Sequence, residues 1–152
     1  MDYSEFKKAI SLSVRLFVQH ERSLFAAYGD DLREEAISHQ LANKIGCVFK
    51  DFDVDCEYSR QLDGNQKQND FGEDKRPDII VHKRGTNENN LALIEVKWDK
   101  NRRDDTEKVT TFKKLCYAFG VVVRFDGNGN VVTLKVYDYQ SSTWDMSIVV
   151  EA

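Results

Sequence analysis

The sequence predicts a mixed α/β domain, with a sheet of parallel and antiparallel strands covered by helices on two sides. Two observations carry that expectation. Apolar residues recur every three to four positions from Ile10 to Ile45, whereas the later apolar runs are short and bounded by turn residues. One further helical pattern, around Val109, Phe112 and Leu115, separates the third strand candidate from the fourth.

The elements follow in order. Ser4 to Tyr28 reads as one helix, because Ile10, Val14, Phe17, Leu24 and Phe25 form a stripe and neither glycine nor proline interrupts it. Gly29 fits a stop, and Asp30-Asp31 offers an N-cap for a second helix from about Leu32 to Ile45. From Val48 to Arg60 the period drops to two, with Val54, Cys56 and Tyr58 alternating against Asp53, Asp55 and Glu57, as in a half-exposed strand. Residues 61–75 are polar and read as a loop. Asp78–His82 and Leu91–Val96 read as a hairpin joined through Gly85 and Asn87–Asn90. Asp104 and Asp105 can cap the helix that carries Val109. Gly120–Phe125 and Val131–Tyr137 flank the turn Asp126-Gly127-Asn128-Gly129, and Trp144–Val150 adds a last strand. The 152 residues form a single domain: an N-terminal helix over 1–29, a core over 30–125 and C-terminal strands over 126–152.

Composition bounds the function. Hydrophobic residues make up 41% and charged residues 32%, ordinary values for a globular protein. No apolar run approaches the roughly 20 residues that span a bilayer, and the first residues lack the layout of a secretion signal. Cys47, Cys56 and Cys116 are odd in number and widely spaced, so a reducing cytoplasm is expected and a zinc site is not. The net charge of −4 counts against a nucleic-acid partner without excluding one. Basic residues still cluster at Lys97, Lys100, Arg102 and Arg103, and again at His82, Lys83 and Arg84.

Glu95-Val96-Lys97 ends an apolar run, whereas the same spacing in Glu5-Phe6-Lys7 and Glu73-Asp74-Lys75 does not. In a strand Glu95 and Lys97 share a face and Ile94 and Val96 take the other. Asp78 follows the only proline, Pro77, at a strand start. Hairpin pairing sets that start against the other strand's end, so Asp78 and Glu95 approach one another. Two carboxylates so placed repel unless a cation or proton intervenes. Hard oxygen ligands of this kind suit Mg2+ or Mn2+. A turn-initiating aspartate and a strand-end salt bridge are the plainer alternatives. Glu34 shares the face of Ile37, Leu41 and Ile45 and points inward, unless Asp31-Leu32-Arg33-Glu34 is a capping box. Among weaker candidates, His82 shares Asp78's face by parity, and Arg84 lies just beyond it. Lys108 lies on the apolar stripe near a helix start, where a cation opposes the dipole. Glu57 is a further acid, while Trp98, Tyr117 and Trp144 offer rings for either bases or the core.

A helical glutamate, a Pro-Asp strand start and a Glu-x-Lys strand end, in that order, resemble the PD-(D/E)XK nuclease superfamily. The resemblance runs from the second helix through the strand after Tyr117. With His39 beside Glu34, Cys56-Glu57-Tyr58, and the run from Pro77 to Gly85, the chain is similar to a bacterial branch of that superfamily. The resemblance implies a restriction endonuclease-like three-layer α/β/α fold with a mixed central sheet, to which the N-terminal helix is an addition. It also implies Mg2+-dependent phosphodiester hydrolysis, most simply of DNA. Asp78 and Glu95 match the metal-binding acids, Lys97 the catalytic lysine, and Glu34 the helical acid that supports the metal or its water. His82, Arg84 and Lys108 are the expected substrate contacts. The expected partner is nucleic acid, with no membrane, and a homodimer is compatible. The alternative is a nuclease-like module that binds nucleic acid or a partner protein without cutting.

Overall fold

The computed structural model describes residues 1–28, 32–56, 70–72, 76–86, 88–98, 106–126 and 131–151. Gly29, Asp30, Asp31, Glu57, Tyr58, Asp104, Asp105, Gly127 and most of the loop at 61–75 lie outside them, as do Lys100, Arg102 and Arg103.

The N-terminal helical pattern breaks once. Helix α1 (Tyr3–His20) starts in a capping box, where Glu5 N donates to Asp2 Oδ1 at 2.8 Å and Asp2 N donates to Glu5 Oε2 at 3.0 Å. It ends at Glu21, and α2 (Arg22–Tyr28) continues from there. Helix α3 covers Glu34–Val48, shifted toward the C-terminus from the predicted span.

The strands are β1 (Asp53–Cys56), β2 (Ile79–His82), β3 (Ala92–Trp98), β4 (Phe119–Phe125), β5 (Val131–Asp138) and β6 (Thr143–Glu151). They form one sheet in the order β1-β2-β3-β4-β5-β6. Only β3 and β4 run parallel, and every other neighbouring pair is antiparallel. The mixed α/β class therefore holds. A parallel pair needs a crossover connection, and the one between β3 and β4 contains α4 (Thr106–Thr110) and a 3-10 turn at Lys113–Leu115.

The predicted third helix is shorter than its apolar stripe suggests. Thr110 Oγ1 donates to Glu107 O and Thr111 Oγ1 donates to Lys108 O, and side chains bonded to the backbone in this way compete with helix propagation. Cys116 then takes a left-handed conformation, φ 56°, and closes the turn. Val109, Phe112 and Leu115 are nevertheless all buried.

Two cores flank the sheet. On one face Phe6, Ile10, Val14 and Phe17 of α1, with Ile37, Leu41 and Ile45 of α3, pack against Ile79, Ile94, Val96 and Val121. The Phe6 ring stacks on Phe119 at 4.3 Å between centroids. Tyr3 Oη and Lys7 Nζ both donate to Asp145 Oδ2 on β6, so α1 shares a layer of the domain with α3 and is not an appendage. On the other face Ile80, Leu93 and Val122 meet Val109, Phe112, Leu115, Tyr117 and Tyr139. Alternation along β3 sends Glu95, like Leu93, to the α4 side. A Cβ at Gly120 would overlap Val109 Cγ1, so this glycine lets α4 lie close on the sheet. Tyr139 Oη donates to Val109 O at 2.5 Å and fixes α4 there. No described helix is long and apolar enough to cross a membrane.

Candidate active site

The β2–β3 register pairs Ile79 with Ile94, which carries Asp78 opposite Glu95 one step on. Beyond that point β2 has ended, while β3 continues to Trp98 with β4 beside it. Backbone donors on the vacated edge need partners, and two site acids supply them. Val96 N donates to Asp78 Oδ2 at 2.7 Å, and Trp98 N donates to Glu34 Oε1 at 3.0 Å. Two residues apart, these amides lie along one edge of the strand.

Glu34 is not a capping residue here. Arg33 holds the N-cap position of α3 with no side-chain cap bond, and the Glu34 carboxylate reaches across to β3 instead. Its other oxygen, Oε2, accepts from Lys97 Nζ at 3.3 Å. A carboxylate in the first turn of a helix is also favourably placed in the dipole field. Glu35, one residue on, is exposed.

Glu95 has no exposed surface, an expensive position for a carboxylate without a counter-charge. Lys108 Nζ meets its Oε2 at 2.5 Å from α4, and the lysine side chain keeps 29% of its own surface exposed. The expected conflict with a helix dipole does not arise, because α4 is five residues long with Lys108 in its last turn; a buried acid from the sheet holds the lysine instead.

Asp78 shows how these charges balance. Burial raises its pKa above the ordinary 3.8, outweighing the Val96 N–H and the ammonium groups of Lys108 and Lys97, while Glu34 raises it further. The structure therefore brings Glu34, Asp78, Glu95, Lys97 and Lys108 together. Three carboxylates face two ammoniums.

His82 and Arg84 are not brought to this group. His82 ends β2, about 13 Å from Asp78 at strand rise, and Arg84 lies beyond it. There His82 Nε2 and Asp55 Oδ2 are 2.8 Å apart, and the Arg84 guanidinium contacts both oxygens of Asp55. Parity put His82 on the right face, but parity says nothing about distance along a strand. Trp98 and Tyr117 are core residues, Trp98 stacked on Phe25 at 5.4 Å, and Trp144 packs on Tyr137.

A cavity of about 190 Å³ opens beside Glu34 and Asp78, lined also by Glu35, Ser38, His39, Cys56 and Arg76. Ser38 and Arg76 are lining residues that the sequence reading passes over, and Arg76 is the charged one. The signal for Arg76 is its place two residues before Asp78, ahead of the proline.

Among the described residues no group of three or more His, Cys, Asp or Glu is arranged to hold a metal ion. The donor set still fits a hard divalent cation in kind. Asp78 and Glu95 sit opposite one another, Glu34 acts on Asp78 electrostatically, and the burial that raises the Asp78 pKa is unfavourable charge that a cation would relieve. Glu95 is the acid already occupied, by Lys108. No family model, curated protein or solved structure matches this chain.

Proposed function

We propose that this protein is a metal-dependent nuclease of the PD-(D/E)XK type, hydrolysing phosphodiester bonds in DNA on a restriction endonuclease-like α/β/α framework. The observation that carries the proposal is the convergence of Asp78, Glu95, Lys97 and Glu34 at the fork where β2 ends and β3 continues. The approach of Asp78 to Glu95 follows from the antiparallel pairing of β2 with β3, whereas the contact of Glu34 with Lys97 joins residues far apart in the chain and adds to it.

Asp78 and Glu95 would hold Mg2+ or Mn2+, with Glu34 supporting the metal or its water. A bound divalent ion supplies a water of lowered pKa and neutralises charge on the phosphate. The chain's own residues do the rest. Lys97, a compact ammonium on a flexible stem, orients the attacking water or stabilises the extra negative charge of the transition state. Glu34 holds Lys97 at 3.3 Å and so positions that ammonium. Asp78, fastened to Val96 N, keeps its carboxylate in place as charge develops beside it.

A second reading, a nuclease-like module that binds without cutting, draws on one specific observation: the contact of Lys108 with Glu95. Incubation with labelled single- and double-stranded DNA and RNA, with and without Mg2+ or Mn2+, separates the two. Metal-dependent cleavage by wild type is expected. Lys97→Ala should abolish it while leaving metal binding by calorimetry largely intact. Equal loss of both, or undiminished cleavage, contradicts the role given to Lys97.

A further inference from the structure

We infer that Lys108 is the resident cation of Glu95 in the metal-free protein, and that a divalent ion loads by displacing it, so that Lys108 sets the affinity of the site for metal. This rests on the metal-dependent reading above and names a residue that controls it.

Three facts lead here. Glu95 is fully buried, and its Oε2 lies 2.5 Å from Lys108 Nζ, where a metal ligand's cation would stand. The ammonium comes from a five-residue helix on the face opposite α1 and α3, and not from β3 like Lys97. It has a way out, since the Lys108 side chain is partly exposed while Glu95 is not. Tyr139 and Gly120 hold the α4 backbone against the sheet, so a rotation of the lysine stem suffices and the helix need not leave.

Charge balance favours exchange over coexistence. The three acids and two ammoniums carry one net negative charge. A divalent ion in place of the Lys108 ammonium makes the group neutral, and an ion added beside Lys108 would meet a like charge at close range.

The test has two parts. Mn2+ binding is measured by calorimetry for wild type and Lys108→Met, and Lys108→Met is expected to bind at least about tenfold more tightly. Removal of the ammonium also leaves Glu95 buried without it, which can impair folding, so the second measurement uses wild type alone. Acylation of Lys108 by an amine-reactive reagent is followed by mass spectrometry with and without Mg2+, with exposed Lys8 as the internal reference. Lys108 labelling should rise severalfold on Mg2+ addition while Lys8 labelling stays constant. Metal binding with unchanged Lys108 labelling, or with equal affinity in the two proteins, overturns the displacement and leaves the nuclease proposal standing. No metal binding by either protein overturns both.

Discussion

The two ends of β2 carry the same kinds of charge and treat them in opposite ways. At the end near His82, carboxylates of β1 receive donors: Asp53 accepts from Arg84 N at 2.9 Å, and Asp55 accepts from His82 and the Arg84 side chain. The hydrogen bond from Arg84 holds the Asp55 pKa below its ordinary 3.8 despite burial. At the Pro77 end burial wins instead, and Asp78 stands above the same value although Val96 N, Lys97 and Lys108 all act to lower it. Donors outweigh desolvation at one end and lose to it at the other. The first end is what a sheet needs to pin its outermost strand. The second keeps charge under strain, a condition concentrated at sites that act on a ligand.

The sharpest way to break this contrast is to remove one cation from each end. Lys108→Met leaves the Glu95 carboxylate buried without its ammonium, and loss of one partner from a buried pair costs about 3–5 kcal/mol. Urea denaturation at pH 7 is expected to show a loss near 3 kcal/mol, since the lysine side chain is partly exposed. Glu95→Leu combined with Lys108→Met should recover most of it, because an apolar pair replaces a buried ionic one at little net cost. A loss of less than 1 kcal/mol in the single variant would make the pair an ordinary surface bridge.

Asp78→Asn sharpens the contrast from the other side. A carboxyl group whose folded pKa is raised favours the fold most at acid pH, below its unfolded value of 3.8. That contribution is lost as pH rises from 3.8 through the raised folded value. Asparagine keeps an acceptor for Val96 N and carries no charge to desolvate. At pH 7 the variant should melt about 2–4 °C higher than wild type, the shift expected for roughly 1 kcal/mol in a chain of this size, and its metal binding should fall. A lower melting temperature would mean that the lysines outweigh burial, and the two ends would then be alike.

Much of this arrangement was legible in the sequence, and the parts that were not share a cause. The apolar run of β3, the proline before Asp78 and strand parity were enough to set Asp78 against Glu95, because antiparallel neighbours with a short connection meet by local rules. Glu34 was balanced between a cap and an inward acid. Its carboxylate is decided by the Trp98 amide, a backbone donor exposed only because β2 stops before β3 does, and no local pattern reports where a strand loses its neighbour. Lys108 stands out in the sequence for a dipole conflict that the short α4 does not contain, and its actual partner lies across a chain crossover. His82 and Arg84 were assigned by face alone, while Asp53 and Asp55, whose alternation marked them as the exposed side of β1, were the residues that claimed them. The short α4 turns on threonine hydroxyls bonded to the backbone, a weaker signal than the apolar stripe that runs through it.

The smallest effect lies at the satisfied end. The Arg84 side chain is 59% exposed, so its bridge to Asp55 is largely screened, and Arg84→Ala should cost only about 0.5–1 kcal/mol at pH 7. Its acid response is more telling than its size. Because the folded pKa of Asp55 is lowered, its stabilisation is complete above the unfolded 3.8 and disappears as pH falls through the folded value. Without Arg84 that folded value moves back toward 3.8, so the variant's deficit relative to wild type should shrink as pH drops below 3.8. Asp78 responds with the opposite sign in the window above 3.8. Denaturation midpoints from pH 2.5 to 6 for wild type, Arg84→Ala and Asp78→Asn should therefore differ on two sides of the same pH, and a single common profile would mean that both ends of β2 obey one electrostatic rule.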